Sequence, residues 1–138
     1  MIGFDTNVLV HAYSQAHHQK HKIASALVEE VFSGEKQGAV SNQVLAELAY
    51  VLSHKTENTI SGEDIANILN SFLICDNWYI YEYTTETIVK ALRPKRFFWD
   101  ALIAETFKEH QIPEVYTEDT DGFRDSGLKV RNPFASDK

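Results

Sequence analysis

Short apolar runs alternate with longer amphipathic stretches along the whole chain, and that alternation constrains the fold more than any other feature. The apolar runs Ile2–Asp5, Gly38–Val40, Trp78–Tyr83, Glu114–Tyr116 and a weaker Leu128–Arg131 read as strands, the third from its aromatic and β-branched content. Between them lie helical patterns. Thr6 and Asn7 open a short helix to about Tyr13. His18–Phe32 carries apolar residues at 23, 24, 27, 28, 31 and 32 and stops at Gly34. Ser41 is a natural N-cap for a helix to about His54, and Ser61 caps another with Ile65, Ile68, Leu69, Phe72 and Leu73 on one face. Thr84–Leu92 is a helix halted before Pro94, and Trp99–His110 is the last. Strands separated by helices imply a doubly wound α/β fold with a parallel central sheet of four to five strands. No linker or repeat divides residues 1–138, so they read as one domain.

Composition narrows the functions available. Apolar content of 43% and charged content of 24% describe a globular chain with a real core. The lone cysteine, Cys75, excludes an internal disulfide and any multi-thiolate metal site; it reads as a small buried apolar residue in a reducing cytoplasm. The N-terminus has no basic, apolar leader, and no window approaches a membrane span. A net charge of −7 argues against coating nucleic acid by bulk electrostatics, but not against an enzyme that grips it locally.

Four acids sit where a fold has little structural use for them. Asp5 ends the first strand and Asp119 follows the fourth. In doubly wound sheets, ligands bind outside the carboxyl ends of the strands, which places both at the crevice. Asp100 falls inside the stripe formed by Ile103, Ala104 and Phe107, and Glu47 lies about 40° from Val51 at the edge of its helix's apolar face. Read singly, each has a structural explanation: a turn cap for Asp5, a helix N-terminal acid for Asp100, a solvated flank for Glu47, a polar loop for Asp119. Together they point to one spot. Unit charges about 4 Å apart repel by roughly 4 kcal/mol at an effective dielectric near 20. Such a cluster needs protonation or a cation, so a divalent metal site is expected. Thr117–Gly122 begins like a calcium-binding loop but lacks the later ligands at the required spacing.

These blocks resemble the PIN-domain ribonucleases, especially the VapC-type toxins of toxin–antitoxin pairs. The matching stretches are Phe4-Asp5-Thr6-Asn7-Val8-Leu9, Ser41 with Val44–Leu48 and Val51-Leu52, Phe98–Ala104, Tyr116–Asp119, and Val130–Phe134. The resemblance implies a three-layer α/β/α PIN-like domain and a Mg²⁺ or Mn²⁺ site. By position it assigns Asp5, Glu47, Asp100 and Asp119 to the family's acidic quartet, as metal ligands and catalytic residues. Thr6 and Asn7 correspond to residues supporting the first acid, Thr117 to one supporting the last, and Asp121 to a neighbouring acid acting through water. It also implies an RNA substrate, a homodimer, and a protein antitoxin whose tail enters the groove.

Hydrolysing a phosphodiester brings an anionic nucleophile to an anionic phosphate, and hard divalent ions held by carboxylates make that possible. Lys90, Arg93, Lys95 and Arg96 precede Asp100 and are the candidate RNA-backbone contacts. Trp99 can stack a base, although it also falls on the buried side of its helix, where core packing is the expectation. His17, His18 and His21 have no companion ligands and read as surface residues. The apolar faces of helices 42–54 and 61–74, with Tyr50, exceed what a small sheet covers and suggest a dimer or partner surface. A metal-dependent endoribonuclease is therefore expected, with a catalytically silent RNA-binding or scaffold module as the alternative. A haloacid-dehalogenase-type phosphatase fits poorly, because Asn7 stands where its second Asp belongs.

Overall fold

The computed structural model describes residues 1–54, 59–93 and 97–135. Strand β1 (Ile2–Phe4) leads into α1 (Thr6–Tyr13) and α2 (His18–Phe32). Then come β2 (Gly38–Ser41), α3 (Asn42–His54), α4 (Gly62–Ile74) and β3 (Trp78–Tyr81). Helices α5 (Thr85–Ala91) and α6 (Phe98–Glu109) precede β4 (Glu114–Tyr116), a 3₁₀ turn (Asp121–Phe123) and β5 (Lys129–Arg131). The five strands form one parallel sheet in the order β3-β2-β1-β4-β5. The chain steps outward from β1 through β2 to β3, then returns to the other side of β1 with β4. The order therefore reverses between β1 and β4, which is where ligands of doubly wound sheets bind.

Every residue of β2 is buried, as expected of a parallel strand covered on both faces. Phe4 meets Trp78 edge-on at 5.0 Å and Tyr116 at 5.2 Å, and Trp78 packs on Phe72 at 4.7 Å. Full burial of a ring such as Phe4, Phe72 or Phe107 contributes about 1.5–3 kcal/mol. Helix α6 lies hard against β1: a Cβ on Gly3 would stand 2.6 Å from the Phe107 ring. Only glycine permits that approach, which seats the last turn of α6 on β1.

The helices begin as their caps indicate. Ser61 Oγ accepts from the Asp64 amide at 3.2 Å, Ser41 Oγ accepts from that of Val44 at 3.1 Å, and Thr84 and Thr87 cap each other reciprocally. Departures from the sequence reading are local. Strand β3 ends at Tyr81, because the Thr84 cap claims the backbone that follows. Helix α6 starts at Phe98, after Phe97 turns into the left-handed region at φ 52°. Leu73, expected on the apolar face of its helix, is 68% exposed with Ile74 beside it at 82%; the helix buries Ile65 and Phe72 instead. Cys75 is only half-buried, packed at the rim of the core. No helix among the described residues is long and apolar enough to cross a membrane.

Candidate active site

Asp5 leaves β1 in the ladder, its amide donating to Tyr116 O at 2.9 Å, and is the N-cap of α1. Thr117 leaves β4 alongside it. Both are buried. Asp5 Oδ1 accepts from the Thr6 amide at 2.7 Å. Oδ2 accepts from Thr117 Oγ1 at 2.7 Å and from Asn7 Nδ2 at 3.3 Å. Thr117 Oγ1 also accepts from the Asp119 amide at 3.0 Å, so one hydroxyl orients both acids. Asn7 spans the two loops, its Oδ1 taking the Glu118 amide at 3.2 Å. Thr6 donates its hydroxyl to Glu47 Oε1 at 3.0 Å, tying α3 to β1.

Asp100, on the first turn of α6, completes the group. Asp5, Glu47, Asp100 and Asp119 all line one open cleft of about 370 Å³ at the carboxyl edge of the sheet. The turn after Asp119 closes tightly over them. The Gly122 amide donates to Asp119 Oδ1 at 3.2 Å, and a Cβ on Gly122 would overlap Asp100 Oδ2 and reach Asp119 Oδ2 at 3.0 Å. Any larger residue would displace the Asp100 carboxylate.

The electrostatics follow from that crowding. Burial pushes Asp5 up to about 6, opposed by the hydrogen bonds from Thr117 and Thr6 and assisted by the charges of Glu47 and Asp119. Asp100 rises to about 7, first through burial, then through the charges of Asp5 and Asp119 and a hydrogen bond with Asp119. The Asp5 carboxylate is held by neutral donors, two hydroxyl- and amide-bearing side chains and a backbone N–H. Among the described residues, no three acid, histidine or cysteine side chains are yet gathered tightly enough to enclose an ion. The donor set is nonetheless all carboxylate oxygen, the ligand class of hard divalent cations, and charge relief by a cation suits its raised carboxyls.

The supporting positions divide. Thr6, Asn7 and Thr117 contact the acids directly, whereas Asp121 begins the 3₁₀ turn and pairs with Arg124. Lys90 and Arg93 border a second cleft on the other flank of α6, where Lys90 Nζ pairs with Glu109 at 2.9 Å. Lys95 and Arg96 lie outside the described residues. Trp99 does not pack in the core: it is 60% exposed, because it stands on the first turn of α6, ahead of the buried Ile103 and Thr106 on the same face, and its carbonyl accepts from Gln43 Nε2 at 3.1 Å. Of the histidines, His17 and His18 are exposed, while His21 Nδ1 bonds to His11 O at 2.9 Å.

Sequence reasoning missed the other wall of the cleft. His11 Nε2 meets Glu118 Oε1 at 2.9 Å, and Lys20 Nζ meets Glu118 Oε2 at 2.7 Å; His11 and Glu118 both line the cleft. Burial would raise Glu118, but hydrogen bonds from Lys20 and His11 outweigh it and hold the carboxyl below its ordinary value. The available signal was the spacing of Asn7 and His11, four residues apart on one face of α1.

Comparison with known proteins gives the family and the fold. The family model for the PIN domain matches residues 2–127. Ribonuclease VapC24 of Mycobacterium tuberculosis is 31% identical over 146 residues, covering 99% of each chain. Among solved structures, the sarcin–ricin-loop-cleaving toxin VapC20 of Mycobacterium tuberculosis aligns with a TM-score of 0.68 at 19% identity, over 88% of this chain and 92% of that one. FitAcB from Neisseria gonorrhoeae aligns with a TM-score of 0.63 at 20% identity, over 97% and 99%. A toxin–antitoxin complex from Klebsiella pneumoniae gives 0.63 at 17% identity, over 97% and 98%.

Proposed function

The chain belongs to the PIN-domain family, and from that premise we propose that it is a divalent-metal-dependent endoribonuclease acting as the toxin of a toxin–antitoxin pair. The observation that carries this reading is the convergence of Asp5, Glu47, Asp100 and Asp119 at the point where the sheet order reverses. The whole-length likeness to a named ribonuclease supports the substrate class. Residues 1–138 act as a single PIN-like domain in the cytoplasm.

Asp5, Asp100 and Asp119 would hold a Mg²⁺ or Mn²⁺ ion, with Glu47 as a further ligand. When bound, such an ion lowers the pKa of water to generate a nucleophile and stabilises charge on the phosphoryl oxygens. The chain's own residues supply orientation. Thr117, Thr6 and Asn7 fix both oxygens of Asp5, so the carboxylate presents one geometry. Thr6 holds one oxygen of Glu47, and the Gly122 amide one oxygen of Asp119. Without a cation, burial and the charges of Asp5 and Asp119 hold the Asp100 carboxyl up at about 7. Asp121, beyond the cleft wall, would act through water. The exposed Tyr50, Leu73 and Ile74 supply apolar area for a homodimer contact, and the open groove admits the tail of an antitoxin.

The test is cleavage of single-stranded and structured RNA by purified protein with Mg²⁺ or Mn²⁺, and with chelator. Metal-dependent cleavage that Asp100→Asn removes is the expected result. A folded protein that binds RNA but cleaves none would instead make it a silent RNA-binding module.

A further inference from the structure

The second cleft, on the far flank of α6, brings four basic side chains together. Lys90 and Arg93 at the end of α5, Lys108 near the end of α6 and Arg124 after the 3₁₀ turn line a hollow of about 560 Å³. They are four of the chain's 13 Lys and Arg residues, although its net charge is −7. Two carboxylates, Glu105 and Asp125, also line it. Lys108 Nζ pairs with Glu105 at 2.8 Å, Lys90 with Glu109 at 2.9 Å, and Arg124 with Asp121, while the Arg93 side chain has no partner among the described residues. The cations themselves are well exposed; the Arg124–Asp121 pair is exposed on both sides and weak in water, whereas Glu105 and Glu109 are half-buried. A phosphate can therefore take the place of Asp121 on Arg124 and reach Arg93 at small cost, while Lys108 keeps Glu105 and offers its remaining N–H donors.

Gly122 joins the two clefts. It borders the cationic hollow, and its missing side chain is what lets the turn close on Asp100 and Asp119. A polyanion lying along Lys108, Arg124 and Gly122 thus arrives at the acids. On α6, at about 100° per residue, Asp100 falls between the cleft face of Ala101, Ala104 and Lys108 and the exposed Trp99.

We propose that this hollow is the RNA-backbone subsite, in which Lys108, Arg124 and Arg93 hold phosphates flanking the bond presented to the acids. The proposal rests on the ribonuclease reading and adds to it Lys108 and Arg124, which no sequence signal singled out. RNA fits better than an acidic peptide, because the repeating phosphates that fill the hollow continue into a cleft whose chemistry acts on phosphodiesters.

The test is the salt dependence of binding of a short labelled single-stranded RNA, measured in chelator so that no cleavage occurs. Each phosphate contact on a single strand contributes about 0.7 to the slope of log K against log salt. Lys108→Gln combined with Arg124→Gln is expected to lower the slope by about 1.4, and Arg93→Gln alone by about 0.7. Lys36→Gln, at the amino edge of the sheet and paired with Glu30, is the control and should leave the slope unchanged. Arg93→Gln keeps the test decisive if the double variant melts early. An unchanged slope in the cleft variants, an equal fall in the control, or no RNA binding by the parent would overturn the proposal. So would a polyglutamate peptide whose binding, unlike that of RNA, is lost in the double variant. A parent that binds RNA with the expected slope but cleaves none with Mg²⁺ or Mn²⁺ would retain the subsite and overturn the ribonuclease reading alone.

Discussion

The two clefts on either flank of α6 use charge in opposite ways. In the acid cleft, carboxylates face one another and are oriented by neutral donors, so two of them are pushed up toward neutral pH. In the cationic cleft, Lys90, Lys108 and Arg124 each have a carboxylate partner close by. The first arrangement costs free energy in the folded chain until a cation arrives; the second pairs its charges, most loosely in the exposed Arg124–Asp121 pair.

Breaking the acid side should have the largest effect. Asp5→Asn or Asp100→Asn keeps the side-chain shape but removes a ligand charge, and RNA cleavage should fall to background while the circular dichroism spectrum is kept. Cleavage near the parent rate by either variant would separate these acids from the chemistry. Gly122→Ala comes next. Its Cβ would overlap Asp100 Oδ2 and stand 2.8 Å from Asp100 Cγ, so the carboxylate must move. Cleavage should drop sharply, with a loss of about 1–3 kcal/mol in urea unfolding from the overpacking. Parent-like values for both would mean that the turn is not tight.

Thr117→Val sharpens the comparison further, since it removes the hydroxyl that neutral orientation depends on. Changes at residues that orient ligands typically cost about 10- to 100-fold in metal affinity or activity. Metal affinity should weaken by that order, and the Asp5 carboxyl should rise further, because a hydrogen bond that lowers it is gone. Carbonyl-resolved NMR titration would check the second point.

The smallest effect expected is in the pH dependence of stability without metal. Asp5 and Asp100 have folded values of about 6 and about 7, above the ordinary 3.8. Between pH 4 and 7 the folded state then holds more protons than the unfolded one, so stability falls as pH rises through that window. Thermal melts in chelator should show this decline, and millimolar Mg²⁺ should flatten it by stabilising the ionised cluster. A melting temperature that climbs from pH 4 to 7 in chelator would contradict the raised values.

The strand–helix alternation and the four acids were legible because each left a local mark. A strand end followed by Asp, or an acid inside an apolar stripe, is visible without knowing the fold. Trp99 was misread because helical periodicity gives a direction but not how far a helix's first turn projects beyond the sheet; it is 60% exposed. The His11–Glu118–Lys20 wall escaped because its members lie up to 107 positions apart and meet only through the sheet order. Lys108 and Arg124 escaped for the same reason: α6 and the 3₁₀ turn bring them together, and neither stands in a basic run.

The most direct test of the central claim, that the acids form a cation site, is an anomalous difference map from a crystal of the protein soaked in Mn²⁺. The expected result is a peak within ligand distance of Asp5 and at least one of Asp100 and Asp119, absent from crystals of Asp5→Asn. A map from well-ordered crystals with no peak in that cleft, or with manganese bound only elsewhere, would contradict it.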